Sequence, residues 1–197
     1  MNALVSADTM VVGVGNTILS DDGVGVHAAR LLQKDPRVPA GVIILDGGTL
    51  GLELIPYLSG ASRLLLLDAM DAGEKPGTAF RLAGDQLWNV PCGTNVHQLG
   101  VSDLLATLPL VSDTLREVIL LAMQPASIDW STELTPAVQA ALGQLVDAAV
   151  EQLLRWSEQA VASPMPRDEA RPEDRFVECN GVGFGGRNVS GDSGKNP

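Results

Sequence analysis

The chain has 197 residues, of which 24 are acidic and 13 basic, so its formal net charge is −11. Hydrophobic residues make up 45% of it, which is enough for a full core and excludes a chain that is disordered throughout. The acidity argues against binding to nucleic acid or to an anionic membrane, because both are polyanions.

Strands alternate with helices in the first third of the chain. Residues 10–14 are a short apolar run that predicts a buried strand, and residues 22–33 carry one apolar face at helical spacing. Residues 41–45 predict a second strand, followed by a short helix over 50–58. The third strand, over residues 63–67, is apolar on both faces, which is typical of a parallel strand covered by helices on both sides.

The alternation continues to about residue 156. Residues 78–82 predict an edge strand, residues 98–108 a helix and residues 118–123 a further strand. A last helix over 135–156 opens with a threonine as N-cap and a proline in the first turn. This order predicts an α/β fold: a three-layer sandwich in which a mostly parallel sheet of about five strands has helices on both faces.

The chain divides near residue 160. Residues 161–197 contain 6 glycines and 4 prolines and show no apolar periodicity. Such a segment cannot bury enough apolar surface to offset the entropy of folding. We therefore predict an α/β domain over residues 1–160 and a disordered C-terminal tail over residues 161–197.

The cysteines and the apolar runs bear on the cellular location. Cys92 and Cys179 form neither a CxxC pair nor a zinc-ribbon spacing, which excludes a disulfide scaffold and favours a reducing compartment. The first ten residues contain no lysine or arginine, unlike a signal peptide. The longest apolar run, residues 118–123, is far too short to cross a bilayer. We expect a cytoplasmic monomer that binds neither nucleic acid nor membranes.

Polar side chains follow three of the predicted strands. In open parallel sheets, ligands bind beyond the carboxyl ends of the strands. Asp22 comes after the first strand, Asp46 directly after the second and Asp68 directly after the third, while His97 precedes the helix over 98–108. A carboxylate directly after four leucines is expected to be buried. Burying its charge costs free energy unless a partner such as a metal ion compensates it. Asp22, Asp68 and His97 are therefore candidate ligands of a divalent ion, in a site left open to water or substrate.

Each of these residues also has a structural interpretation. An aspartate at a helix start caps free N–H groups, and one carboxylate suffices for that. Of the neighbours Asp21 and Asp22, one is therefore not needed as a cap. Asp68 could accept hydrogen bonds from loop amides, and His97 could bond to nearby backbone. Asp46 could cap the glycine turn that follows it or face a substrate.

The glycine-rich segment over residues 13–25 invites a nucleotide-binding interpretation that fails in detail. Ile18 stands where the dinucleotide fingerprint needs its third glycine, and the chain has no Gly-Lys-Ser/Thr tripeptide of a phosphate-binding loop. The adjacent carboxylates of Asp21 and Asp22 would repel a phosphate. The sequence therefore argues against a nucleotide cofactor.

Several motifs together resemble those of the hydrogenase maturation proteases. They are GVGNTILSDDGVG (13–25), LDGGT (45–49), LDA with PGT (67–69 and 76–78), HQLG with DLL (97–100 and 103–105), and the late segments QP (124–125) and LTP (134–136). The resemblance covers about residues 10–156, in order and at the spacing of the family. Residues beyond about 160 have no counterpart in it.

The resemblance implies a specific activity. Members of this family are endopeptidases that remove a short C-terminal extension from the large-subunit precursor of a nickel–iron hydrogenase after nickel insertion. Two acidic residues and a histidine are thought to contact the metal, and these match Asp22, Asp68 and His97. The first acidic position is glutamate in some members and aspartate here. Asp46 matches an acidic residue linked to substrate choice and cleavage.

Two mechanisms and one rival function stay open at this point. Asp22, Asp68 and Asp46 are the candidate catalytic carboxylates, in either an aspartic-type or a metal-assisted hydrolysis with nickel supplied by the substrate. The chain has no His-Glu-x-x-His motif of the zincins. The rival is a non-catalytic nickel-binding chaperone of hydrogenase assembly, which would bind metal tightly and cut nothing.

Overall fold

Five strands form one sheet in the described part of the chain. The computed structural model describes residues 8–58, 60–89 and 96–162. The strands are β1 (Thr9–Val14), β2 (Ile43–Gly48), β3 (Arg63–Ala69), β4 (Ala79–Ala83) and β5 (Glu117–Met123). Their order is β2-β1-β3-β5-β4, in which β4 runs antiparallel to β5 and the other pairs are parallel. The predicted, mostly parallel five-stranded sheet is confirmed.

Helices cover both faces of this sheet. They are α1 (Val24–Leu32), α2 (Ile55–Leu58), α3 (Val96–Val111) and α4 (Pro136–Ala162), with 3₁₀ turns at Ser20–Gly23, Gly51–Leu54 and Gly84–Asn89. Helices α1 and α4 pack on one face, and α2 and α3 pack on the other. The predicted three-layer α/β arrangement is confirmed.

The four consecutive leucines of β3 fill both layers of the core. Leu65 and Leu67 pack with α1 and α4, and Leu64 and Leu66 pack with α3, because side chains alternate along a strand. All four are fully buried. The same alternation places Asp68, the next residue, on the α3 side of the sheet at its carboxyl edge.

The predicted strands are found, and they differ from the prediction at their ends. The sequence predicts the third strand over 63–67, but β3 also includes Asp68 and Ala69, because both still pair with β5. The sequence predicts the second over 41–45, whereas β2 starts two residues later and includes Asp46, which pairs with β1. Both carboxylates therefore lie within strands, where sheet pairing fixes their backbone, and not in the loops that follow.

The predicted helices also keep their places. The helix predicted over 22–33 begins as the 3₁₀ turn and continues as α1. Helix α4 reaches two residues into the predicted tail, and the rest of that tail, residues 163–197, lies outside the described residues. Within the described ranges, no helix has the length and apolar character needed to cross a membrane.

Candidate functional site

The predicted site residues lie at the carboxyl edge of the sheet. Asp46 and Asp68 belong to β2 and β3, Asp22 lies in the 3₁₀ turn between β1 and α1, and His97 is the second residue of α3. The structure brings Asp22 and Asp68 together and places Asp46 apart from them. The side chain of His97 lies outside the described part of the molecule.

Asp68 is a buried carboxyl group at the end of β3. It is 4% exposed, and its Oδ1 accepts a hydrogen bond from the amide N–H of Ala69 at 2.8 Å. Burial raises the pKa of Asp68 to about 8 and the nearby Asp22 carboxylate adds to this, while the bond from Ala69 acts in the opposite direction. Near pH 7 this carboxyl group is therefore largely protonated unless a cation stabilises its charge.

Asp22 is the second buried carboxylate of the site. It is 4% exposed, and its Oδ2 accepts a hydrogen bond from the backbone amide of Asn16 at 2.8 Å. Its charge adds to the raised pKa of Asp68, and both carboxyl groups are buried. Two carboxylates in such proximity favour either a shared proton or a bound cation.

Two glycines allow the start of α1 to lie against the strand ends. A Cβ atom on Gly25 would lie 2.1 Å from the carbonyl oxygen of Leu67 and 2.5 Å from that of Val14. Gly15 has a φ of +122°, and a Cβ atom there would lie 1.9 Å from the carbonyl oxygen of Asp22. The glycine-rich segment therefore permits the close backbone approach that sets Asp22 beside β3.

Replacing Gly25 with alanine is expected to lower the free energy of unfolding by about 1–3 kcal/mol or more, because the new methyl group forces α1 away from β1 and β3. Gly143→Ala is the matched control. A Cβ atom on Gly143, within α4, meets nothing within 4 Å, so this change should stabilise the protein by about 0.5–1 kcal/mol. Urea unfolding measures both effects, and equal stability of the two variants would contradict the packing argument.

Asp21 is a fully buried carboxylate that holds the segment between β5 and α4. Its Oδ2 accepts hydrogen bonds from the amides of Ala126 at 2.8 Å and Ser127 at 3.2 Å and from the hydroxyl of Thr135 at 2.8 Å. Its Oδ1 accepts the amide of Thr135 at 2.7 Å. Of the two adjacent aspartates, Asp21 thus has the structural role, and Asp22 is the one beside Asp68.

Thr135 stands directly before Pro136, at the N-cap position of α4, as predicted. Its carbonyl oxygen accepts the amide of Gln139 at 2.8 Å, which is the first hydrogen bond of the helix, and its hydroxyl donates to Asp21. Helix α4 begins with Pro136 in its first turn, as predicted. Asp21 therefore joins the start of α4 to the loop that carries Asp22.

Gln124, directly after β5, fixes the loop that follows β3. Its buried side chain accepts hydrogen bonds at Oε1 from the amides of Ala72 at 2.8 Å and Glu74 at 3.2 Å. Its Nε2 donates to the carboxylate of Asp71 at 3.0 Å, which lowers the pKa of Asp71. Sequence reasoning gives Gln124 no such role, because its partners lie about fifty residues earlier in the chain.

Asp46 lies on the opposite face of the sheet from Asp68. Alternation along β2 places it on the side of Ile44, which packs against the α1–α4 layer. Two nitrogens of Arg30, in α1, donate to its Oδ2 at 2.9 and 2.8 Å. Strands β2 and β3 flank β1, so they lie roughly 10 Å apart. Asp46 is thus an exposed, ion-paired carboxylate at the rim and not part of the buried Asp22–Asp68 pair.

The third predicted ligand, His97, lies on the appropriate helix. Helix α3 covers the same face of the sheet on which Asp68 lies, and His97 is in its first turn. Among the residues whose side chains the structure describes, no group of three potential metal ligands occurs. The trio of Asp22, Asp68 and His97 therefore stays a prediction, of which the structure describes the two carboxylates.

Comparisons with known sequences identify the family. Residues 26–152, more than half of the chain, match the family model described as HycI, hydrogenase maturation protease. The chain is 35% identical over 153 residues to hydrogenase expression/formation protein HupD of Bradyrhizobium diazoefficiens, covering 75% of this chain and 78% of that protein. It is 31% identical over 164 residues to the hydrogenase 2 maturation protease of Escherichia coli K12, covering 81% and 96%.

Solved structures agree with the sequence comparisons. The hydrogenase maturating endopeptidase HybD from E. coli matches with a TM-score of 0.70 and 29% identity, covering 75% of this chain and 93% of that one. The nickel–iron hydrogenase maturation protease HybD from Thermococcus kodakarensis matches with a TM-score of 0.64 and 25% identity, covering 74% and 98%. The resemblance visible in the motifs is confirmed, and the chain belongs to the hydrogenase maturation protease family.

Proposed function

We propose that this protein is the endopeptidase that removes the C-terminal extension from the large-subunit precursor of a nickel–iron hydrogenase after nickel insertion. The family supplies the class of activity. The observation that carries the proposal is the buried pair of Asp22 and Asp68, in which burial and a like charge raise the pKa of Asp68. A bound cation stabilises such a pair. Nickel held by the precursor supplies that cation.

The nickel ion belongs to the substrate and is not a resident cofactor. Asp22, Asp68 and His97 offer it two oxygens and one nitrogen, a donor set that suits a borderline divalent ion. Three ligands leave coordination positions for groups of the precursor. No nucleotide or other cofactor enters this proposal. The step takes place in the cytoplasm, with one copy of the protein acting on one precursor.

The carboxylates can serve the peptide cleavage in two ways. A metal ion near a peptide carbonyl polarises it, and a carboxylate can activate water. Alternatively, Asp22 and Asp68 act as an acid–base pair that shares a proton. The raised pKa of Asp68 fits both, because nickel would displace its proton on binding and a protonated carboxyl group can donate one. Asp46, held by Arg30 at the rim, orients the precursor in either case.

Because cleavage depends on nickel, only a precursor that already holds nickel is processed, and the reaction checks that the metal has been inserted. A precursor without nickel offers no cation to the carboxylate pair, so its scissile peptide is not positioned. Discrimination then comes from differential binding of the loaded and unloaded forms.

The test is to incubate the purified protein with a large-subunit precursor from the same source, with and without inserted nickel, and to measure the precursor's mass. We expect loss of a C-terminal peptide from the nickel-loaded form alone. Cleavage of both forms would contradict the dependence on nickel. Cleavage of neither form, together with tight nickel binding by the isolated protein, would favour the non-catalytic chaperone.

A further inference from the structure

Trp130 is an exposed tryptophan on a segment whose backbone is fixed. Its side chain is 81% exposed. The backbone of the neighbouring Ser131 makes two hydrogen bonds to the loop before α1. Its carbonyl oxygen accepts the amide of Ser20 at 2.8 Å, and its amide donates to the carbonyl oxygen of Ile18 at 3.1 Å. The buried carboxylate of Asp21 holds the same segment at both of its ends. This large apolar side chain is therefore exposed to solvent on a backbone segment that hydrogen bonds hold in place.

Two exposed isoleucines lie close to this tryptophan in the chain or across the bridge, Ile128 and Ile18. Leu19 pairs with Ser131 in a parallel bridge, so the residues that precede them, Ile18 and Trp130, are neighbours. Ile128 lies two residues before Trp130, and all three side chains are exposed. We call Ile18, Ile128 and Trp130 the Trp130 patch. Clustered exposed apolar groups mark interaction sites, and tryptophan is among the residues that contribute most to protein interfaces.

The Trp130 patch is continuous with the candidate site. The amide of Ile18 donates to Oδ1 of Asn16 at 3.1 Å, and the amide of Asn16 donates to Oδ2 of Asp22 at 2.8 Å. Ile18 of the patch and Asp22 thus belong to the same short loop. A protein that binds at Asp22 is therefore expected to reach Ile18 and, across the bridge, Trp130.

The flanks of the patch are acidic. Asp129 and Glu133 are exposed on either side of Trp130, and residues 126–134 contain no lysine or arginine. A complementary surface would have an apolar pocket for the tryptophan and basic side chains around it.

We propose that the Trp130 patch docks the folded body of the protein substrate, with Trp130 inserted in an apolar pocket that has a basic rim. The identification of that protein as the hydrogenase large-subunit precursor rests on the proposed function. The patch contributes affinity and no chemistry. Its loss therefore raises KM and leaves kcat unchanged.

The test compares Trp130→Ala with Leu110→Ala in the full chain. Leu110 is equally apolar and 84% exposed, but it lies near the C-terminal end of α3, away from the carboxyl edge of the sheet. The Kd for the nickel-loaded precursor is measured by titration, and kcat and KM by cleavage. We expect Trp130→Ala to raise Kd and KM at least about tenfold with kcat unchanged, and Leu110→Ala to change none of them.

The outcomes separate this inference from the proposed function. An unchanged Kd for Trp130→Ala, an equal weakening by both variants, or no binding by the unmodified protein overturns the docking surface. Binding that Trp130→Ala weakens, without any cleavage by the unmodified protein, supports the docking surface and overturns the protease function. The Kd of the unmodified protein should also rise with salt, and less so in the double variant Asp129→Asn, Glu133→Gln. An equal salt dependence of the two proteins overturns the basic rim.

Discussion

Replacing Asp68 with asparagine is expected to abolish cleavage of the nickel-loaded precursor while the fold persists. Asparagine has nearly the same shape and keeps an oxygen that can accept the amide of Ala69, but it cannot carry the charge that a cation requires. Mutation of a residue that only hydrogen-bonds to a metal ligand typically lowers metal affinity or activity by about 10–100-fold. Loss of the ligand itself should therefore reduce the cleavage rate by at least about 100-fold. Mass spectrometry of the precursor measures the rate, and circular dichroism of the variant verifies the fold.

The same variant tests the buried environment of Asp68 without any substrate. The folded-state pKa is raised to about 8 from an ordinary value of 3.8, so between these pH values the folded protein binds a proton that the unfolded chain releases. The stabilisation linked to this group is fully present below about pH 4 and is lost as the pH rises through about 8. In metal-free buffer, the free energy of unfolding should therefore fall with pH in the unmodified protein and fall less in Asp68→Asn.

Asp71→Asn is the control for this pH dependence. Asp71 follows three residues later and is exposed, and its hydrogen bond from Gln124 lowers its pKa. Its contribution to stability is therefore present above its ordinary pKa and lost in acid, opposite in sign to that of Asp68. Urea unfolding at pH 5 and pH 8 should give the same pH dependence for Asp71→Asn and the unmodified protein. An unaltered pH dependence in Asp68→Asn would contradict the raised pKa, and retained cleavage by that variant would contradict its role.

Local patterns predict the central strands of this fold well, because β1, β3 and β5 contain short apolar runs that are buried in the core. The four leucines of β3 are the clearest example, since only a strand buried on both faces needs such a run. The strand ends are less predictable. Asp68 and Asp46 are polar residues that look like the start of a loop, yet both continue the pairing of the sheet.

The sequence predicts that the site residues lie at the carboxyl edge of the sheet. It does not predict which face of the sheet each side chain occupies. Parallel strands bring Asp46 and Asp68 to one edge, whereas the face on which each side chain lies depends on the alternation along its own strand and on the helix that covers it. The packing of Ile44 and the ion pair with Arg30 place Asp46 on the side of α1. Gln124 and Asp21 were missed because their hydrogen-bond partners are about fifty and more than one hundred residues away in sequence.

Replacing Asp21 with alanine is expected to destabilise the protein strongly. The change leaves three amides and one hydroxyl, all donors to the buried carboxylate, without their acceptor. A hydrogen bond to a charged group contributes about 1.5–3 kcal/mol, so even with partial rehydration of the segment the loss should be at least about 3 kcal/mol. Urea unfolding measures it. Asp147→Ala is the control, because Asp147 is exposed and pairs with Arg37 at the surface, where removal of an ion pair costs less than about 1 kcal/mol.

A double-variant cycle separates the hydrogen bonds of Asp21 from a general effect of the substitution. Thr135→Ala removes the hydroxyl that donates to Asp21 at 2.8 Å and leaves the three amide donors in place. Alone it should cost about 1 kcal/mol, and in the Asp21→Ala background it should cost much less, because its acceptor is already gone. Fully additive effects would contradict the assignment of Asp21 as the shared acceptor.

The hydrogen bonds of Asp21 affect both the stability of the fold and the proposed docking surface, and the Thr135→Ala variant tests the second effect. The segment it holds carries Trp130, and the adjacent loop carries Asp22. Thr135→Ala leaves Trp130 and Asp22 unchanged in sequence but loosens the support that fixes them relative to each other. We therefore expect this variant to weaken binding of the precursor more than its small loss of stability accounts for. A Kd equal to that of the unmodified protein would show that the support of Asp21 serves folding alone.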